Sequence, residues 1–320
     1  MIKSVRIERF KSVRHLELDC RRINLFIGEP NTGKSNLLEA LGLLSWLGWP
    51  YDDLQRFVRF QFTHQLFHDG LTEEPICIRC RGTPDVETLI RFEEAAYLVQ
   101  VAGQVVCRLD PHGQGRRPEP IPDLSAVRFY RYDAAPRPGR AEPGILIPPH
   151  GPNLFSVVYG SKALREWVAE LFRPYGLAVV FKPHEQAVEL QKLKDGVAIS
   201  YPLGVASDTL RRVLFYKVAM SSNQPGLLVF EEPEAHAFPY YTKHLGEQIA
   251  EDPLHQYFIA THNPYLLAAV IEKAPQQDVS VFVTRYVNHE TLTTRLNEGQ
   301  ISRLLEADPF LDLESVLETP

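Results

Sequence analysis

The stretch G-E-P-N-T-G-K-S, Gly28 to Ser35, constrains this 320-residue chain more than any other. Ahead of it, Ile23, Leu25 and Ile27 alternate as a strand does. Behind it, N-L-L-E-A-L-G-L-L-S-W-L carries apolar residues three and four apart, the spacing of a buried helix. A strand that turns through glycines straight into a helix is the setting a phosphate-binding loop requires. Glycines let backbone amides close on an anion, a lysine reaches the terminal phosphates, and a hydroxyl takes magnesium. Gly28, Gly33, Lys34 and Ser35 fill those parts, and Asn31, Thr32 and Asn36 complete the set expected to hold the nucleotide.

Magnesium and an attacking water need carboxylates at the end of a neighbouring strand. The run G-L-L-V-F-E-E is apolar throughout and ends in two. Glu231 is placed to orient the metal and Glu232 to polarise the water. A buried strand rarely ends in E-E-P-E without a use for the charge. One helix further on, F-I-A-T-H-N-P-Y ends a second apolar run. Parallel α/β sheets bind ligands at the carboxyl ends of their strands, so His262 is placed to touch the γ-phosphate.

The remaining sequence bounds the setting. Hydrophobic residues make up 44% and charged residues 23%, an ordinary globular composition, and the net charge of −6 gives no overall basic field. No apolar run is long enough for a membrane span, and M-I-K-S-V-R-I-E-R-F lacks a signal-peptide core, so a cytoplasmic location is expected. Cys77 and Cys80 form a lone C-x-x-C in an alternating strand. Three residues apart, they fall on opposite faces, so buried thiols are expected rather than zinc ligands. His64 and His68 are spaced for one helix face, but no third ligand accompanies them, and a polar helix face is expected.

Strands are expected through 1–27, an antiparallel meander over 76–109, a short strand at V-R-F-Y-R-Y and a helix over 161–173. Two strands should flank K-D-G, Lys194 to Gly196. A helix starting near Ser207, with Asp208 or Ser207 as its cap, should precede the carboxylate strand, with another over Tyr240–Ala250 and one from Pro264. A strand at V-S-V-F-V-T and an amphipathic helix should end the chain. Pro- and Gly-rich loops are expected at 110–123 and 133–152. No internal repeat or heptad run is present.

Together these motifs resemble the ABC-type ATPase heads of the SMC, RecF and OLD group. The opening I-E-R-F-K-S-V-R-H-L-E-L looks like that group's first hairpin, F-E-E-P-E-A-H its Walker B strand and A-T-H-N-P its switch histidine. V-A-S-D-T-L-R-R looks like its signature motif, although the usual glycine beside the serine is replaced and Gly204 lies three residues earlier. The likeness covers about 1–50 and 200–290, with P-P-H-G-P-N-L at 148–154 a looser match. It implies an α/β P-loop NTPase of ABC type: a mixed central sheet, an antiparallel β-rich lobe and a helical insertion. The whole chain would be one head, with 51–199 inserted into the nucleotide-binding core and 291–320 a helical tail. ATP and Mg2+ would be bound, and two heads would pair, each ATP lying between one chain's loop and the other's Ser207. Hydrolysis through Glu232 would then release the pair. His236, where relatives often read H-L-H-P, receives no role, and Gln61 and Gln65 are candidates for the glutamine loop.

The resemblance also implies what is absent. Residues 36–206 hold no coiled-coil arms, and the stretch after His262 has no room for an OLD-type nuclease domain, so any nuclease would be a separate chain. The leading expectation is an ATP-gated switch acting on a partner, plausible in DNA repair or phage defence. Its alternatives are a RecF-like DNA clamp, a nucleotide-binding structural subunit and, disfavoured, a transporter ATPase. Arg56, Arg59, G-R-R-P at 115–118 and R-F-Y-R-Y at 128–132 are the candidate DNA contacts, set against a solvated surface.

Overall fold

The N-terminal alternation becomes a hairpin in the computed structural model, which describes residues 1–115, 119–135 and 142–306 together with Leu313 and Leu317. β1 (Ile2–Phe10) and β2 (Val13–Asp19) pair antiparallel, with Val5 opposite Leu18 and Ile7 opposite Leu16, so one face is apolar and buried. β3 (Ile23–Ile27) departs from the expected alternation. All five residues are buried, because it lies within a parallel sheet rather than at the edge of a hairpin. Asn24, buried in that strand, is satisfied by donating to the carbonyls of Arg21 and Tyr257.

α1 (Lys34–Gly48) follows, and nearly every residue in it is buried, which accounts for its weak polar face. β4 (Ile76–Gly82), β5 (Val86–Glu93), β6 (Ala96–Val101) and β7 (Gln104–Leu109) form the expected meander, and β8 (Val127–Tyr130) the expected short strand. α2 (Leu154–Gly160) and α3 (Lys162–Phe172) come next. β9 (Ala178–Lys182), β10 (Ala187–Lys194) and β11 (Val197–Pro202) make three strands where two were expected. The turn at Asp195 and Gly196, both with positive φ, joins the last two, and a second turn at 183–186 had no glycine to announce it. α4 (Asp208–Ser222), β12 (Leu227–Glu231), α5 (Pro239–Glu251), β13 (Gln256–Ala260) and α6 (Pro264–Lys273) match the expected order. β14 (Val279–Val287) runs three residues past the expected strand. β15 (Glu290–Arg295) stands where a helical tail was expected, and α7 (Glu298–Glu306) follows.

Among the described residues the strands form three sheets. The first has the order β2-β1-β4-β5-β6-β7 and the second β11-β10-β9. The third, β15-β14-β3-β13-β12-β8, is mixed: β12, β13, β3 and β14 run parallel, and β15 returns antiparallel. Phe26 on β3 stacks between Phe258 on β13 and Phe282 on β14, at centroid distances of 6.2 and 5.2 Å. Such pairs contribute about 1 kcal/mol each beyond burial, and these brace the three strands whose ends carry the chemistry.

The chain divides into two compact units. One holds Met1–Phe129, Pro225–Glu232 and Gly246–Pro320, and the other Tyr130–Gln224 and Pro233–Leu245. In the second, Asn153 explains how P-P-H-G-P-N-L folds: its amide accepts from Ile147 N–H and donates to the carbonyls of Glu142 and Ile145. All four cysteines are free thiols, with Cys77 and Cys80 buried as expected. His64 and His68 do not share a helix face. They fall in separate 3-10 turns, and His68 Nδ1 lies 2.7 Å from the Lys11 carbonyl. No helix among the described residues is long and apolar enough to cross a membrane.

Candidate active site

β3 ends at Ile27 and the chain enters the loop through Gly28, φ 151°. A Cβ there would sit 2.4 Å from the Thr284 carbonyl oxygen, so glycine is required by space. Asn31 (φ 63°) and Gly33 (φ 95°) turn the loop through left-handed conformations, and a Cβ at Gly33 would strike Thr291 Oγ1 at 1.9 Å. Thr32 Oγ1 donates to the Glu29 carbonyl and meets Thr284 Oγ1 at 2.8 Å, pinning the loop to β14. α1 then starts at Lys34 with no side chain capping its first turn. Its unpartnered amides and the helix dipole suit an anion. Lys34 Nζ folds back on the loop, donating to the carbonyls of Gly28 (2.8 Å) and Glu29 (2.7 Å). Burial holds its pKa below the ordinary lysine value, against the opposing pull of Glu232 and Glu29.

Beyond Ser35, Asn36 Nδ2 donates to Ser12 Oγ (2.7 Å), which meets Thr291 Oγ1 at 2.6 Å. The first hairpin and β15 are thereby tied to the helix start. Ser12, Asn31, Lys34, Ser35, Arg59, Glu232 and Tyr286 are among the residues lining an open cleft of about 650 Å³. A neighbouring space of about 360 Å³ shares Pro30, Lys34 and Glu232 with it and adds Gly28 and His262. Both volumes lie in the range of small-molecule sites.

The carboxylates arrive from β12. Glu231 closes the buried strand at 8% exposure, and its Oε1 accepts from Arg59 at 2.8 Å. Glu232 leaves the strand with φ 43°, a left-handed conformation that costs a residue with a side chain about 1 kcal/mol or more. Its N–H is held by the Ala260 carbonyl of β13 at 3.0 Å. The turn brings its carboxylate into the cleft, 3.5 Å from His262 Nδ1. Directly after His262, Asn263 caps α6, accepting from the amides of Tyr265 (2.9 Å) and Leu266 (3.3 Å). Lys34 and Glu232 therefore line both adjoining spaces, the open helix start lining the larger and His262 the smaller.

Among the described residues no group of three or more His, Cys, Asp or Glu side chains is arranged to hold a metal. Ser35 and Glu231 supply a hydroxyl and a carboxylate, hard oxygen donors that suit Mg2+, an ion that completes its shell with water and substrate phosphate.

No protein-family model and no curated protein matches the sequence. Solved structures do. An SMC head bound to the C-winged helix domain of ScpA superposes with a TM-score of 0.54 at 13% identity, over 94% of this chain and 99% of that one. An SMC head with an extended coiled coil, derived from Pyrococcus furiosus and bound to the C-terminal domain of ScpA, gives 0.56 at 13%, over 95% and 98%. The SMC head domain from Thermotoga maritima gives 0.47 at 12%, over 92% and 99%. The fold is similar to that of the two SMC heads bound to ScpA domains.

Within this fold the expected residues separate. Gly28, Asn31, Thr32, Gly33, Lys34, Ser35, Asn36, Glu231, Glu232 and His262 all fall in the first unit, and all but Glu231 line the two adjoining spaces. Ser207 belongs to the second unit, where its Oγ accepts from Leu210 N–H at 3.3 Å and caps α4. Gln65 is occupied in capping a 3-10 turn, accepting from the amides of Gln61 and Phe62, and neither glutamine lines the cleft.

Arg59, taken from sequence as a surface contact, is instead an ion-pair partner of two carboxylates. Arg128 is buried at 5% exposure, and Arg56 lies over the Tyr51 ring. Arg116 and Arg117 lie outside the described residues. The reading from sequence missed Ser12 and Tyr286 as cleft residues. Tyr286 was lost because β14 was expected to end at Thr284; the strand-favouring Tyr286 and Val287 just beyond it were the available signal.

Proposed function

We propose that this chain is an ATP-binding and ATP-hydrolysing head. The observation that carries the reading is the meeting of Lys34 and the uncapped start of α1 with Glu232 and His262 around two adjoining spaces that share Lys34 and Glu232. In this reading Lys34 leaves the loop carbonyls for the β- and γ-phosphates, and the amides of 31–36 close on them. Glu232 accepts the proton of the attacking water, and His262, beside it, steadies the departing γ-phosphate. Ser35 and Glu231 would hold Mg2+, which would supply charge neutralisation to the phosphates.

The head works as a switch. Two copies close on ATP, with Ser207 and the α4 start of one facing the nucleotide of the other, and hydrolysis parts them. A separate partner chain reads the closed state, in DNA repair or phage defence. The SMC heads with bound ScpA domains support the idea of a head that carries a partner chain. The DNA-clamp reading draws less support, because Arg59 and Arg128, two of its candidate contacts, are engaged or buried. The test is turnover of ATP with Mg2+, with and without linear duplex DNA, against Lys34→Ala. No turnover above that variant would overturn the ATPase reading.

A further inference from the structure

Arg59 stands in an unusual place for an exposed arginine. Its backbone is fixed: the preceding Phe57 and Val58 are buried, and their amides donate to the Leu54 carbonyl. Its own N–H donates to Glu39 Oε1. The guanidinium then spans two carboxylates, with Nε 2.6 Å from Glu39 Oε1 and an Nη 2.8 Å from Glu231 Oε1. Both carboxylates are buried, Glu39 completely, whereas the Arg59 side chain is 56% exposed. Arg59 lines the cleft and Glu231 does not.

We propose that Arg59 is a latch on the metal position: in the nucleotide-free head its guanidinium holds the Glu231 carboxylate that a divalent cation takes, and the cation enters as the guanidinium leaves. The proposal rests on the reading of this cleft as a metal–nucleotide site. Its basis is charge and access. A buried carboxylate that already meets a cation presents an oxygen that suits another cation. A second cation at the same oxygen is repelled by the first, so the two exclude each other.

The surroundings allow the exchange. When Arg59 departs, Glu39 retains its ion pair with Lys11, a side chain only 13% exposed, so no fully buried charge is abandoned. The arginine's long, half-exposed stem can rotate into solvent while the backbone stays anchored. A purely structural bridge would gain more from complete burial and would not need to line the cleft.

The test is a Mn2+ titration of the nucleotide-free protein, followed by the electron paramagnetic resonance of the free ion. Arg59→Gln keeps an amide donor for Glu39 and removes the charge. It should bind Mn2+ at least tenfold more tightly than the unaltered protein, and adding Glu231→Gln should erase the gain. Equal or weaker binding by Arg59→Gln, or a gain that survives Glu231→Gln, overturns the latch. Should Arg59→Gln fold poorly, the unaltered protein decides. Modification of Arg59 by phenylglyoxal, read by mass spectrometry, should be faster in saturating Mn2+ than in chelator, and an equal or slower rate overturns the proposal. Absence of ATP binding by the unaltered protein would remove the nucleotide reading and leave the Mn2+ result to stand separately.

Discussion

Lys34 and Glu232 make different contributions, and single substitutions separate them. Lys34 is folded onto the loop's own carbonyls, and in the proposed mechanism its charge is the main attraction for the terminal phosphates. Lys34→Ala should therefore abolish measurable ATP binding in calorimetry. Glu232 lines the cleft at the helix start and also meets His262 in the adjoining space, but among the described residues it makes no bond within the loop that Lys34 braces. Glu232→Gln should bind ATP about as well as the unaltered protein and lose on the order of 10²–10⁴ in turnover, the usual worth of a general base. Loss of binding and turnover together would mean that Glu232 shapes the loop rather than the water. The positions of these residues were legible in the sequence because each depends on a short local pattern: glycines before a helix, or carboxylates after an apolar run. Arg59 was not legible, since its partners lie 20 and 172 positions away and nothing in its own neighbourhood marks them.

Strands and helices set how much each substitution costs. Gly33 combines a positive φ with contact to Thr291 on β15. Gly33→Ala should lower stability by about 1–3 kcal/mol in urea unfolding. Adding Thr291→Gly should recover the steric part and leave the backbone part. The end of α5 offers a pH test. Burial raises the Asp252 pKa, but hydrogen bonds from His255, Tyr257 and the Leu254 amide hold it at about 2, below the ordinary 3.8. A carboxylate depressed in the folded state stabilises it above its unfolded pKa and loses that stabilisation as pH falls through the folded one. Stability should therefore drop between about pH 4 and pH 2, and Asp252→Asn should flatten that limb of a denaturation-versus-pH curve. An unchanged limb would mean that the Asp252 pKa is not lower in the folded chain than in the unfolded one.

For the complete chain the prediction concerns assembly. If two heads close on ATP, Glu232→Gln with ATP and Mg2+ should double in mass by light scattering. Ser207→Ala should weaken that dimer while single-chain ATP binding persists. Loss of the Ser207 cap should also cost about 1 kcal/mol of stability. A monomer with ATP demonstrably bound would count against the composite site, and an unweakened dimer in Ser207→Ala would remove Ser207 from it.

Local periodicity and spacing were enough to predict the strand–loop–helix around Lys34, the buried carboxylate strand, the meander over 76–109 and the start of α4. Each follows from side chains within a few residues of one another, where the backbone has few alternatives. What the sequence could not specify was pairing across distance. β3 is flanked by β13 and β14 rather than by its hairpin neighbours, so it is buried throughout although its pattern looked half-exposed. Thr284 and Thr291, ordinary strand residues in sequence, decide which loop positions must be glycine. The guanidinium of Arg59 reaches Glu231 because α1 and β12 are brought together by packing. Such contacts arise from burying whole faces of strands and helices, a cooperative choice that only the complete folded chain makes.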